Sequence, residues 1–314
     1  MSNYTQWIRK VGLILVKGEK GLDLSNFRIR FEVTSADVET PNNAAIRVYN
    51  LKPETILAIQ EFSEVVLNAG YQNGNYGVIF KGTIKQFKIG RENAIDNYLD
   101  ILAGDGDIEY NQAFIEMSLK SNTTPKSQIE QIAKEMGTSA DLGSLMIDKQ
   151  HIPSLRGAVL FGLARSNLRN IATSLDASWS IQDGSVLFLD NTGYRDGEKV
   201  KINVGTGLIG VPEQTSGGIR VRCLINSRIQ IGCLIELNNA EINQLVQQDP
   251  SAAPVPYNQR TGIQQNAALN TKDATYRVYA IDHQGDTRGQ EWYSTLTCLA
   301  VDLSAPRLQA VGAN

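Results

Sequence analysis

Four places in the 314-residue sequence carry residues whose types and spacing could do chemistry. Gly205-Thr206-Gly207-Leu208-Ile209-Gly210 has the G-x-G-x-x-G spacing of a dinucleotide-binding turn and follows a predicted strand. That turn holds a pyrophosphate only when a helix begins at its end. Pro212 and strand-type sequence follow instead, so it reads as a flexible glycine turn. Asp105, Asp107, Glu109, Asn111 and Glu116 approach the ligand spacing of a calcium loop. Tyr110 stands where the sharp bend needs glycine, and Gln112 to Phe114 looks helical, which favours a strand-to-helix turn with capping acids. His151 and His283 are the two histidines; they lie far apart, with no H-E-x-x-H or Cys/His cluster, and His283 falls in a predicted hairpin turn. Both read as structural or surface residues. A Ser-His-Asp triad is a spatial arrangement that sequence alone leaves open, but no G-x-S-x-G elbow is present. The expectation is therefore no catalytic residue, no cofactor-binding residue and no metal ligand.

The fourth place is a row of arginines, Arg220, Arg222 and Arg228, with Glu213 and Glu236 nearby; it reads as inter-subunit or lumen-facing polar pairs rather than a nucleic-acid contact. A formal net charge of −3 offers no cationic surface for nucleic-acid recognition or for lipid attraction. Cys223, Cys233 and Cys298 cannot all pair and lie in apolar, strand-like runs, as buried thiols of a reducing compartment do. The apolar run from Val11 to Val16 is broken by Gly12 and followed by Lys17, too short for a signal segment or a spanning helix. No membrane insertion is expected, and the protein is expected in a cytoplasm or in something assembled there.

The elements that must position these residues are mostly strands. Hydrophobic residues make up 42% of the chain, enough for the cores of two or three compact units. Phe27, Ile29, Phe31 and Val33 alternate with Arg28, Arg30 and Glu32, and further strands are predicted at 45–51, 65–71, 77–89 and 95–103, with a short helix opening at Pro53-Glu54. From Asp107 to about Ala177 the period becomes helical. Thr124-Pro125 opens a helix with Ile129, Ile132, Ala133 and Met136 on one face, ended by Gly137. Val159 to Leu175 repeats the pattern, and the two helices are expected to pack together. Asp183-Gly184 marks a two-residue hairpin, and Lys199–Val204 is a further strand. Leu208 to Ala240 reads as scaffold. Ile219, Val221 and Cys223 form a strand with one buried face, expected to contribute an assembly edge, and a looser strand over 229–237 carries Gly232 as a bulge or close approach. A long loop over 238–273 precedes a closing hairpin at 277–301.

At an offset of 197 residues, Ile84, Arg91, Leu99, Leu102, Ala103 and Asp105 align with Ile281, Arg288, Leu296, Leu299, Ala300 and Asp302. Upstream, Ile46-Arg47-Val48 parallels Ile219-Arg220-Val221. Either two copies of one β unit flank the helices, or two unrelated hairpins share an alternating pattern. Three such chains in a closed ring would present six similar units and match a sixfold partner on one side and a threefold partner on the other.

The stretches 78–111, 164–184, 207–240 and 276–302, in that order, resemble the baseplate hub proteins of tailed bacteriophages, the group including the hubs of Mu-like phages and the late control protein D family. The resemblance implies an α+β, mainly β fold of two similar tube-type β-barrel units with a helical segment between them: 1–106 the first unit, 107–176 a helical or α+β insertion, and 177–314 the second unit. It implies a homotrimeric, non-enzymatic ring in the virion baseplate, joining a hexameric tail tube to a trimeric central spike of a contractile tail, with other baseplate proteins as partners. The alternatives are the hub of a related contractile injection or secretion device and, in another class, a virion-associated peptidoglycan hydrolase. The hydrolase would need paired acids and a lytic domain, neither of which stands out.

Overall fold

The computed structural model describes residues 5–143, 154–191, 193–215, 218–238 and 273–301. Its centre is a 13-stranded sheet. The first half runs in the order β3 (Ile29–Ala36), β4 (Asn43–Tyr49), β7 (Asn97–Gly104), β6 (Gly77–Arg91), β5 (Glu64–Asn73), β1 (Thr5–Lys17) and β2 (Lys20–Asp23), all neighbours antiparallel. The alternation read over Phe27 to Val33 holds only from Ile29: Phe27 precedes β3 in a bend and is exposed, but Ile29, Phe31 and Val33 are buried while Arg30 and Glu32 face solvent. They join Leu13, Ile46, Leu67, Phe80, Ile101 and Trp292 in one core. Helix α1 (Pro53–Ile59) opens with proline in its first turn, where the missing N–H costs nothing.

The second half runs β14 (Leu208–Thr215), β15 (Gly218–Leu224), β18 (Trp292–Ala300), β17 (Asp273–Asp286), β16 (Leu234–Asn238), and then β13 (Val200–Ile202), which is parallel to β16. Its core gathers Ile219, Val221, Cys223, Val278, Ile281, Leu296 and Cys298. β17 also pairs with β3, so the halves form one continuous sheet. Among the described residues no ladder closes either half into a separate barrel.

Between the halves lie α2 (Asp107–Gln112), β8 (Phe114–Leu119), α3 (Pro125–Glu135), β9 (Ser139–Asp141), β10 (Ala158–Leu163), α4 (Ala164–Leu175) and the hairpin β11 (Ala177–Gln182) to β12 (Ser185–Asp190). Thr124 caps α3 by accepting the Ser127 N–H at 3.3 Å, and Gly137 ends it at φ 74°. As expected, α3 and α4 share a core, with Ile129, Ile132, Leu168 and Ile171. Asp183 (φ 53°) and Gly184 (φ 78°) make the hairpin turn, both in the left-handed region such turns require.

Several expectations are corrected. The helix read from Val159 starts only at Ala164: Val159 and Phe161 point to solvent while Leu160 packs inward opposite Met117, a period of two that the spacing from Leu160 to Leu163 concealed. The stretch 107–176 thus holds strands as well as helices, and α2 stops at Gln112, with Phe114 already in β8. The strand read over 229–237 begins only at Leu234. Gly232 (φ 81°) marks a close approach, since a Cβ there would lie 2.7 Å from Leu189 Cδ1. The loop read at 238–273 and His151 lie outside the described residues, except for the loop's two end residues.

Candidate assembly interface

The residues singled out for chemistry do not converge. Asp105 is buried and accepts N–H groups from Asp183 at 2.6 Å and Gly184 at 2.9 Å, Asp107 pairs with Lys85 at 2.8 Å, and Glu116 sits on β8. Among the described residues no group of three or more His, Cys, Asp or Glu side chains is placed to hold a metal ion. After Asn203 the glycine run forms a single 3₁₀ turn, Val204–Thr206, and passes directly into β14, so no helix N-terminus stands there for a phosphate. His283 lies within β17, not in the turn; it is buried with Nδ1 2.7 Å from Ser294 Oγ, and burial pulls its pKa down to about 4. Cys223 and Cys298 are buried free thiols and Cys233 is a half-buried one.

What the fold does build is a buried polar junction where the inserted elements meet both halves. Asp37 accepts from Ser178 Oγ at 2.9 Å and lies 3.6 Å from Arg277, whose Nη1 donates to the carbonyls of Asp190 and Gly193, both at 3.0 Å. Asn42 donates to the Ile181 carbonyl and to Gln182 Oε1, and Gln182 donates to the Ala36 carbonyl. Burial, with Asp183 close by, raises Asp105 to about 7 despite the two N–H donors that favour its charged form. These partners come from segments more than 75 residues apart, so no local pattern in the sequence marks them.

The two long hairpins share a geometry that sequence alignment misplaced. In β6–β7 the extra residue of a β-bulge is Lys85, between Ile84 and Gln86; in β17–β18 it is Tyr279, between Val278 and Ala280. Six register pairs separate each bulge from its turn. The turn bonds, Glu92 N–H to Asp96 and Asp286 N–H to Glu291, show the second turn to be one residue longer. By register, Lys85 matches Tyr279 and Ala103 matches Cys298, offsets of 194 and 195. The 197-residue identities therefore do not mark equivalent positions on both arms. The neighbours correspond as well: β3-β4-β7-β6-β5 in one half and β14-β15-β18-β17-β16 in the other.

The halves differ in one respect. Beyond its bulge β17 carries β3 on its outer edge, Ala280 to Asp286 against Ala36 to Arg30. The equivalent stretch of β6, Gln86 to Arg91, has no partner strand on that edge among the described residues, because β5 pairs only through Thr83. β14, the counterpart of β3, ends the sheet path, with no partner strand on its outer edge among the described residues. Ile89 on the first edge is 57% exposed and Val211 on the second 41%, apolar exposure that edge strands ordinarily avoid. β15, expected to supply an edge, is interior, flanked by β14 and β18.

Opposed pairs such as His283 with Val33 put both cores on one side of the sheet. The other side carries Arg30, Arg47, Arg220 and Arg222. Arg47 bonds Asp100 at 2.6 Å, Arg30 lies 3.4 Å from Glu291, Arg220 stands opposite Glu213, and Arg222 stacks on Tyr293 at 3.5 Å. Arg228, in the loop after β15, pairs with Glu198.

The fold thus presents strand edges without partners among the described residues, a face of paired charges and a buried polar junction. A family model described as baseplate hub gp41 matches residues 8–251. The chain belongs to that family, and so to the components of phage tail baseplates. No curated protein matches it by sequence. Its fold is similar to a tail protein from Neisseria meningitidis MC58 (TM-score 0.56, 8% identity, 93% of this chain and 97% of that one). It is also similar to the 43 kDa tail protein of prophage MuSo2 from Shewanella oneidensis (0.56, 7%, 96% and 100%). A third likeness is to the E. coli c3393 protein, a type VI secretion component described as structurally similar to the T4 tail proteins gp27 and gp5 (0.55, 12%, 90% and 76%).

Proposed function

We propose that this chain is the structural, non-enzymatic hub of the baseplate: a homotrimer whose two tube-type β units per chain form a pseudo-sixfold ring between a hexameric tail tube and a trimeric central spike. The observation that carries this reading is the open outer edge of β6 at the place where β17 accepts β3. β14 of one chain would take on β6 of its neighbour the place β3 takes on β17 within the chain. That heterologous contact closes after three chains, and closure removes every such edge. The uncovered face with Arg30, Arg47, Arg220 and Arg222 then lines the lumen. In this reading the units are 1–106, 107–176 and 177–314, with the β11–β12 hairpin between cores: Leu187 and Leu189 pack in the second-half core, Trp179 and Phe188 in the inserted one. The relation is to the hubs of Mu-like phages and the late control protein D family, in a contractile tail. The protein assembles in the host cytoplasm into the virion and contacts other baseplate proteins.

The test is the mass of the purified full-length protein, alone and with the cognate spike. A trimer, or a three-to-three complex with spike, is expected. Ile89→Pro, which removes an N–H on the open edge, should leave the far-UV circular dichroism unchanged and abolish both. Monodisperse monomer with spike present, or a one-to-one complex, would overturn the reading.

A further inference from the structure

We propose that the outer edge of β1 binds an extended acidic peptide by strand addition. Along one edge β1 is paired with β5; on the other it meets β2 only through Ile14 to Lys17. There the chain after β2 peels away: Leu24 N–H bonds the Leu13 carbonyl at 2.8 Å, and Leu13 N–H donates to Ser25 Oγ at 3.0 Å, before the chain leaves for β3. Both backbone polar groups of Leu13 therefore point to the outer edge. Strand alternation turns those of Val11 and Arg9 the same way. Between them and Asn26, Phe27 and Arg288 lies a groove of about 490 Å³.

Among the described residues the lining of this groove carries three cations, Arg9, Lys10 and Arg288, and no acid. Arg9 spends its guanidinium donors on the carbonyls of Gly289 (2.7 Å) and Gln290 (3.0 Å), and among the described residues it forms no ion pair with a carboxylate. Lys10 is exposed, 4.4 Å from the centre of the Tyr76 ring, and Arg288 is exposed with no ion-pair partner among the described residues. Of the acids beside the groove, Asp286 pairs with Arg28 at 2.7 Å, Glu291 lies 3.4 Å from Arg30, and Asp23 accepts from the backbone N–H of Ser25 at 2.8 Å. In a chain of net charge −3 this is a local cationic excess beside outward N–H and C=O groups at strand spacing. Phe27 and Val11 add apolar contact. An extended peptide with alternating carboxylates satisfies all three features, through main-chain bonds for affinity and side chains for selectivity. A nucleic-acid strand answers only the charge. The site is independent of the ring reading, since β1 takes no part in the β6 and β14 edges.

The experiment uses the full-length protein and a fluorescein-labelled peptide alternating Glu and Val, read by anisotropy. Saturable binding is expected, weakened at least about tenfold by Lys10→Glu with Arg288→Glu. It should be lost for the same peptide N-methylated at alternate residues, which keeps its charge but not its strand hydrogen bonds. Equal binding of the methylated peptide, equal competition by oligothymidine, or no saturation at roughly 1 mM peptide would each overturn the proposal. So would loss of a homo-oligomer in the double variant that the peptide does not compete, since the groove would then belong to a second copy. Both substitutions are at exposed positions, and unchanged far-UV circular dichroism keeps misfolding from counting as lost binding.

Discussion

Lys85 and Tyr279 hold the same place in two hairpins: each is the unpaired residue of a bulge standing six register pairs from its turn. A bulge residue matters by its presence more than by its side chain, because removing it shifts one arm by one position and turns inward residues outward. Lys85→Ala is expected to change stability by no more than about 1 kcal/mol, the worth of its half-exposed pair with Asp107. Deletion of Lys85 should cost on the order of 3 kcal/mol or abolish folding. Urea titration of the two variants separates the cases; equal midpoints would show that the bulge is not needed.

Asp37 is expected to be the most costly single carboxylate to remove. Asp37→Ala leaves Arg277 buried without its counter-charge, a loss of about 3–5 kcal/mol, whereas Asp37→Asn keeps a hydrogen-bond acceptor for Ser178 and should cost less. Chemical denaturation checks the order, and an alanine variant as stable as the asparagine one would count against the junction.

Two groups give stability opposite pH slopes. Asp105 is raised from 3.8 to about 7, so the folded state holds its proton more tightly; that contribution is full below about pH 4 and is lost as pH rises through 7. His283 is lowered from 6.5 to about 4, so its contribution is full above about pH 6.5 and is lost as pH falls toward 4. Asp105→Asn should therefore expose the histidine slope, giving a melting temperature that falls on acidification from pH 7 to 5 more steeply than in the unmodified protein. Parallel melting curves in that window would refute the assignment.

Ile219→Asp with Val221→Asp should unfold the chain instead of dissociating it, because both side chains are in the second-half core at 3% and 0% exposure. Val211→Asp, on the exterior of β14, should keep the monomer folded and weaken assembly. Circular dichroism paired with sizing distinguishes the two. A folded, monomeric Ile219/Val221 double variant would contradict the interior placement of β15.

Alternation and turn chemistry act between neighbours, so Ile29-Phe31-Val33, the Pro53 helix, the Thr124 cap and the Asp183-Gly184 turn were all legible in the sequence, and the order of the hub-like stretches led to the family. Where a local period was ambiguous, partners decided. Val159 to Leu163 is a strand because β8 lies beside it, and His283 is buried because Ser294 and Val33 flank it. The 197-residue identities fall in two hairpins that share a bulge position but do not pair residues of equal register, since register in a sheet is set by hydrogen bonds, and one added turn residue changes the offset between arms. Which edges stay open, and the meeting of Asp37, Asn42, Asp105 and Arg277 around one hairpin, belong to the tertiary structure alone. They depend on contacts between residues tens to hundreds of positions apart, for which a single sequence holds no periodic signal.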